Sequence, residues 1–156
     1  MSLLIRNGRI IDPEQSIDRL GAVLIVDGRI VRMGEGSMSA HTVIDAKGMI
    51  VCPGFIDLHC HLRQPGFEEK ETIASGTRAA ARGGFTTVCC MPNTLPPIAT
   101  PAIVEQVQKI AAIEGAVRVL PIAAVTEDRN GRNMADLSDL HAAGAVAFSD
   151  DGGPVA

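Results

Sequence analysis

From Ile56 to Arg63 apolar and polar residues alternate without a break. Ile56, Leu58, Cys60 and Leu62 fall on one side of the count, Asp57, His59, His61 and Arg63 on the other. A strand sends successive side chains to opposite faces, so this pattern predicts a strand over Phe55–His61. Its two faces differ: one is apolar, the other carries a carboxylate, two imidazoles and a guanidinium. Pro65-Gly66 ends it with turn chemistry.

The first fifty residues also have strand character, of a different kind. Ile5-Arg6-Asn7-Gly8-Arg9-Ile10-Ile11 is echoed by Ile25-Val26-Asp27-Gly28-Arg29-Ile30-Val31. Asn-Gly and Asp-Gly between β-branched residues predict two hairpins. Thr42–Asp45, a turn at Ala46-Lys47-Gly48, and Met49–Val51 predict a third. Cys52-Pro53-Gly54 marks a boundary, after which strands alternate with helices. Helices are expected over Glu68–Arg82, Pro101–Glu114 and Met134–Ala143. Gly83-Gly84 stops the first, and Thr100 with Pro101 starts the second. Strands are expected over Phe85–Met91, Val117–Val125 and Ala145–Phe148. Such a series implies an α/β fold with parallel strands. A doubly wound sheet and a (β/α)8 barrel both fit this order; a whole barrel needs roughly 250 residues.

Composition narrows the function classes. The chain has 156 residues and 46% apolar content, so it can bury a core, but only 3% is aromatic. With no Trp or Tyr and a net charge of −4, neither phosphate attraction nor base stacking is available, which argues against a nucleic acid partner. No apolar run is long enough to span a bilayer, and the N-terminus does not read as a signal peptide. A membrane association is therefore not expected, and a cytoplasmic location is. Cys52, Cys60, Cys89 and Cys90 form no CxxC pair and read as reduced core residues.

Parallel α/β folds place ligands at the C-terminal ends of their strands. Those ends carry His59, His61 and Arg63, then Asn93, then Thr126-Glu127-Asp128, then Asp150 and Asp151. Two imidazoles at i and i+2 on one strand face, with a carboxylate from a later strand end, suit a catalytic zinc that keeps a position open. Arg63 and Asn93 are suited to holding a substrate carboxylate, the arginine through its planar fork. Spacing alone does not separate Asp150 from Asp151. His41 and His141 are read as non-functional, and Glu127 and Asp128 as a strand end.

The stretch Asp57-Leu58-His59-Cys60-His61-Leu62-Arg63-Gln64-Pro65-Gly66 resembles the first metal motif of the amidohydrolase superfamily, in its dihydroorotase branch. Lys70-Glu71-Thr72, Gly83–Val88, Met91–Thr94 and Phe148–Gly152 are similar to that family's later blocks, in order. The resemblance implies the N-terminal part of a small β-sandwich domain (residues 1–52), then roughly the first half of a TIM-type (β/α)8 barrel (53–156). It implies one or two zinc ions, with His59, His61 and Asp151 as metal ligands and Asp151 bridging. Arg63 and Asn93 would bind substrate. The implied reaction is the reversible cyclisation of N-carbamoyl-L-aspartate to dihydroorotate in pyrimidine synthesis. A homo-oligomer is expected, with aspartate transcarbamoylase as a candidate partner. The family's further ligands and its acid/base aspartate are expected beyond Ala156, which would leave this chain a fragment inactive alone. Two alternatives stand beside this: another cyclic amidohydrolase of hydantoinase or allantoinase type, or a non-catalytic subunit partnering aspartate transcarbamoylase. Hydantoinases are expected to carry a modified lysine near the fourth strand; the lysines here are Lys47, Lys70 and Lys109.

Overall fold

A computed structural model describes all residues, Met1–Ala156. The chain divides into two compact units, Met1–Pro53 and Gly54–Ala156.

The first unit is a five-stranded sheet of β1 (Ser2–Asp12), β2 (Ile17–Val26), β3 (Arg29–Gly34), β4 (Thr42–Asp45) and β5 (Ile50–Val51). Its order is β3-β2-β1-β4, and β5 also pairs with β1. The Asp27-Gly28 hairpin forms as expected. Both residues take positive φ, 49° and 76°, and join antiparallel β2 and β3, as a two-residue hairpin turn requires. The Asn7-Gly8 hairpin does not form. β1 runs straight through, and its register with β2 jumps between Ile5 and Gly8. Asn7 sits at φ 62° and donates to Asp45 Oδ1 at 3.0 Å, so the pair makes a bulge. The true turn between β1 and β2 lies at Pro13–Ser16, where Asp12 Oδ1 accepts the Glu14 N–H at 3.1 Å. The third hairpin is also absent, because β4 and β5 each pair with β1 in parallel. Cross-strand partners outside the local window decided both outcomes.

The second unit alternates β6 (Phe55–Cys60), α1 (Ile73–Arg82), β7 (Phe85–Cys90), α2 (Pro101–Glu114), β8 (Arg118–Ala123), α3 (Leu137–Ala142) and β9 (Ala147–Phe148). The strands form one parallel sheet in the order β6-β7-β8-β9, so the α/β reading holds. α2 has the expected bounds, with Thr100 at the N-cap and Pro101 in the first turn. α1 starts five residues later than Glu68 because Thr72 and Ser75 make a reciprocal capping box. Residues before it are tied into turns on the Phe67 carbonyl instead. α3 starts at Leu137, capped by Asp136, since Ala135 N–H bonds Val125 O at 2.9 Å and Met134 bridges Thr126.

One face of this sheet and the helices enclose a core of Leu62, Ile73, Val88, Cys90, Val104 and Leu140, with their neighbours. Each fully buried Ile or Leu there contributes about 1.5–3 kcal/mol. The opposite face carries a smaller cluster of Cys89, Met91 and Ile122. Alternation along β7 sends Val88 and Cys90 one way and Cys89 and Met91 the other. On β6 the expected alternation is broken: its register with β7 shifts between Asp57 and Cys60, and Asp57 pairs with the core residue Val88. Leu62 is buried, while Ile56 and Leu58 are 60% and 71% exposed. Cys89 and Cys90 are buried, but Cys52 is exposed, which corrects its reading as a core residue. No helix is long and apolar enough to cross a membrane.

Candidate metal centre

The C-terminal ends of the four parallel strands lead into the loops that hold the chemistry. β6 ends at Cys60, so His59 lies within the strand and His61 just past it. Their rings are 5.2 Å apart, centroid to centroid, at 82°. Asn93 follows β7, and Asp150 and Asp151 follow β9. Ligand atoms of His59, His61 and Asp151 all lie within 4.8 Å of one another. His59 Nε2 is 3.2 Å from Asp151 Oδ1. Asn93 lies between the other two: His61 Nδ1 is 3.1 Å from its Oδ1, and its Nδ2 donates to Asp151 Oδ2 at 2.5 Å.

The two adjacent aspartates have separate tasks. Asp150 is 3% exposed and accepts from the backbone N–H groups of Val125 (2.8 Å) and Thr126 (3.1 Å) and from the Thr126 hydroxyl. Burial pushes its carboxyl up. The hydrogen bonds from Thr126 and Val125, with Arg129 nearby, outweigh burial and hold it below the ordinary carboxylate value. Asp150 therefore fastens β9's end to β8's end. Asp151 turns the other way, at φ 49°, and faces the histidines.

Arg129 was not singled out by the sequence. It lies after β8, donates from Nη2 to the Asp150 carbonyl at 3.0 Å and stands 3.6 Å from Asp151 Oδ2. Its Nε is buried without a hydrogen-bond partner. Its only sequence cue was a position beside Glu127-Asp128 at a strand end, which no spacing rule picks out. Cys60 stands between the two histidines, yet burial, then Asp57 and Cys89, push its thiol up to about 12. Its sulfur is not among the grouped ligand atoms.

Arg63 is half-buried at φ 59° and opens the loop after β6. That loop is tightly held. Gln64 Oε1 accepts the Ile73 N–H at 3.0 Å, and Pro65 O accepts the Leu95 N–H at 3.0 Å. Gly66, at φ 95°, leaves no room for a Cβ, which would run into the Leu95 carbonyl. The loops carrying Arg63 and Asn93 are thus packed backbone to backbone. No hydrogen bond or ion pair joins the Arg63 side chain to the group formed by His59, His61, Asn93 and Asp151.

His41 and His141 stand outside the group. His41 pairs with Ser2 Oγ at 2.7 Å, and His141 Nδ1 lies 3.3 Å from the Ala145 carbonyl. A cavity of about 830 Å³ belongs wholly to the first unit, and its wall includes Arg6, Gly21, Glu35 and Lys47. None of its lining residues is one of the candidate ligands.

Two imidazoles and one carboxylate at this separation could hold a metal ion, and this donor set is of the kind that suits zinc. Comparisons with known proteins give the family. A family model described as dihydro-orotase-like matches residues 48–156. A dihydroorotase of Solibacter usitatus is 52% identical over 156 residues, covering 99% of this chain and 36% of that protein. A dihydroorotase of Aquifex aeolicus is 46% identical, with 99% and 37% covered. This chain thus spans a little over a third of the length of these relatives. Among solved structures, the L-hydantoinase (dihydropyrimidinase) of Arthrobacter aurescens aligns with TM-score 0.78 and 26% identity, covering 94% of this chain and 32% of that one. An N-acyl-D-glutamate deacylase of Bordetella bronchiseptica, in complex with zinc and a phosphonate inhibitor, aligns at 0.68 and 26%, covering 99% and 40%.

Proposed function

Because the chain belongs to the dihydro-orotase-like family, we propose that it forms part of a zinc-dependent dihydroorotase. The five-stranded sheet is then the N-terminal part of a small β-sandwich domain, and residues 53–156 are the first half of a (β/α)8 barrel. The reaction is the reversible closure of N-carbamoyl-L-aspartate to dihydroorotate, with an amide C–N bond made in one direction and hydrolysed in the other. One observation carries this reading: His59, His61 and Asp151, from strand ends far apart in sequence, bring their ligand atoms within 4.8 Å.

In this reading His59, His61 and Asp151 hold the zinc. A zinc ion held there supplies Lewis acidity toward an amide carbonyl and toward water. Arg63, on the loop beyond the histidines, takes the substrate carboxylate through its guanidinium fork. Asn93 uses one amide N–H on Asp151 and keeps its second for a substrate oxygen. Packing of the Gly66 loop on Leu95 sets the spacing between these two groups. The same reading includes assembly as a homo-oligomer, a cytoplasmic location and aspartate transcarbamoylase as the partner to test.

The test is made in the whole protein. Changing His59→Ala and His61→Ala together is expected to remove stoichiometric zinc and dihydroorotate turnover. Retention of both sinks the assignment. A second reading, a hydantoinase-type enzyme, is favoured by the hydantoinase match at TM-score 0.78. Turnover of dihydroorotate, hydantoin and allantoin under one set of conditions separates them, and the dihydroorotase reading expects dihydroorotate to be the preferred substrate.

A further inference from the structure

We propose that Asn93 is a positioning residue: through Asp151 on one side and His61 on the other, it selects the nitrogen that His61 presents to the metal site. The inference rests on the reading of His59, His61 and Asp151 as a metal centre, and adds to Asn93 a role apart from any contact with substrate.

The two ends of the Asn93 amide are chemically opposite. Asn93 is 8% exposed, and its loop is pinned where the Pro92 carbonyl accepts from Thr94 N–H at 2.9 Å and Ile98 N–H at 3.2 Å. An ionised carboxylate only accepts hydrogen bonds. The Asn93 atom 2.5 Å from Asp151 Oδ2 is therefore the NH2 group; a flipped amide would set its oxygen against the carboxylate. With that end settled, the atom facing His61 Nδ1 at 3.1 Å is the amide oxygen. A carbonyl oxygen only accepts, so Nδ1 of His61 must carry the proton. Neutral imidazole holds one N–H, and Nε2 is left with its lone pair free for a metal. The same amide holds Oδ2 of Asp151, while Oδ1 is the oxygen directed at His59. A metal-bound histidine whose other nitrogen donates to a carbonyl or carboxylate is a recurrent arrangement, and loss of such a partner costs about 10–100-fold in metal affinity. Here one side chain serves two prospective ligands at once.

The experiment is nitrogen-15 NMR of the whole protein, stripped of metal and held at mildly alkaline pH. His61→Ala identifies the His61 resonances among the four histidines. In the parent protein His61 is expected to show a protonated Nδ1 and an unprotonated Nε2; the opposite pattern overturns the proposal without any variant. Asn93→Ala is expected to mix the two tautomers and to weaken Zn2+ binding, measured by chelator competition, about 10–100-fold. An unchanged tautomer with Zn2+ affinity within about twofold of the parent also overturns it. If Asn93→Ala fails to fold, the tautomer of the parent protein carries the test, and a protonated Nε2 there counts against the proposal. If His59→Ala and Asp151→Asn leave Zn2+ affinity untouched, the metal-centre reading fails. If they abolish binding and Asn93→Ala does not alter it, only the role of Asn93 fails.

Discussion

The carboxylates of Asp150 and Asp151 are covalent neighbours, yet they bond to different parts of the fold. Asp150 reaches back to the end of β8, where it accepts from Val125, from Thr126 N–H and from the Thr126 hydroxyl. Asp151, at φ 49°, faces Asn93, His59 and Arg129. Arg129 ties the pair together by donating to the carbonyl of the first and lying beside the carboxylate of the second. One turn thus carries both a fastening and a prospective ligand.

Asp150→Ala strands two backbone N–H groups and a hydroxyl that were satisfied by one buried carboxylate. Stranded buried donors cost about 1–3 kcal/mol each, with partial relief from water, so a loss of about 2–4 kcal/mol is expected in urea unfolding. Asp151→Asn should cost far less stability and act on metal content instead. The Asp150 carboxyl sits below its ordinary value when folded, and its unfolded value is about 3.9. The folded state therefore gains from it above that unfolded value and loses the gain as pH falls through the lower, folded one. Stability measured against pH should drop in that acid window for the parent, and the corresponding drop should be smaller for Asp150→Ala.

Gly66→Ala combines two penalties. The backbone is at φ 95°, and the added Cβ meets the Leu95 carbonyl, which is backbone and cannot rotate away. A destabilisation of at least about 1–3 kcal/mol is expected, read as a lower urea midpoint. The loop of Arg63 should part from the loop of Asn93, and faster hydrogen exchange at Leu95 N–H, now bonded to Pro65 O, would report it. Unchanged exchange at Leu95 would mean the two loops are held by something else.

The four cysteines should react very unequally with a thiol reagent at mildly alkaline pH. Cys52 is exposed, Cys89 and Cys90 are buried, and burial pushes Cys60 and Cys90 up to about 12. Since the thiolate is the reactive form, one fast equivalent is expected from the native chain and four from the unfolded one. Two or more fast native equivalents would show that the sheet opens readily at β6 or β7.

How far the sequence reaches depends on how local each determinant is. The strand at Phe55–Cys60, the Thr100-Pro101 start of α2, and the Asp27-Gly28 turn are set within a few residues, and each can be read directly. The strand–helix order also follows from periodicity, and with it the rule that strand ends carry the chemistry. Asn7-Gly8 shows the limit: the same dipeptide chemistry gives a turn at one place and a bulge at another. Its outcome was decided by Asp45 and Val51, which are remote in sequence.

His59-Cys60-His61 needed no structure to stand out as a chelating pair. Asp150 and Asp151 occupy the same strand end in sequence, so spacing left them open and only the resemblance named Asp151. Tertiary structure separates them through Val125, Thr126, Arg129 and Asn93, whose donors converge only once three strands are side by side. Asn93 was legible as a polar group at a strand end, suited to substrate. Its grip on two prospective ligands, and so the tautomer of His61, depends on distances of 2.5 and 3.1 Å between residues from three separate loops. Local periodicity determines which residues can reach a site; long-range packing decides what each one holds when it arrives.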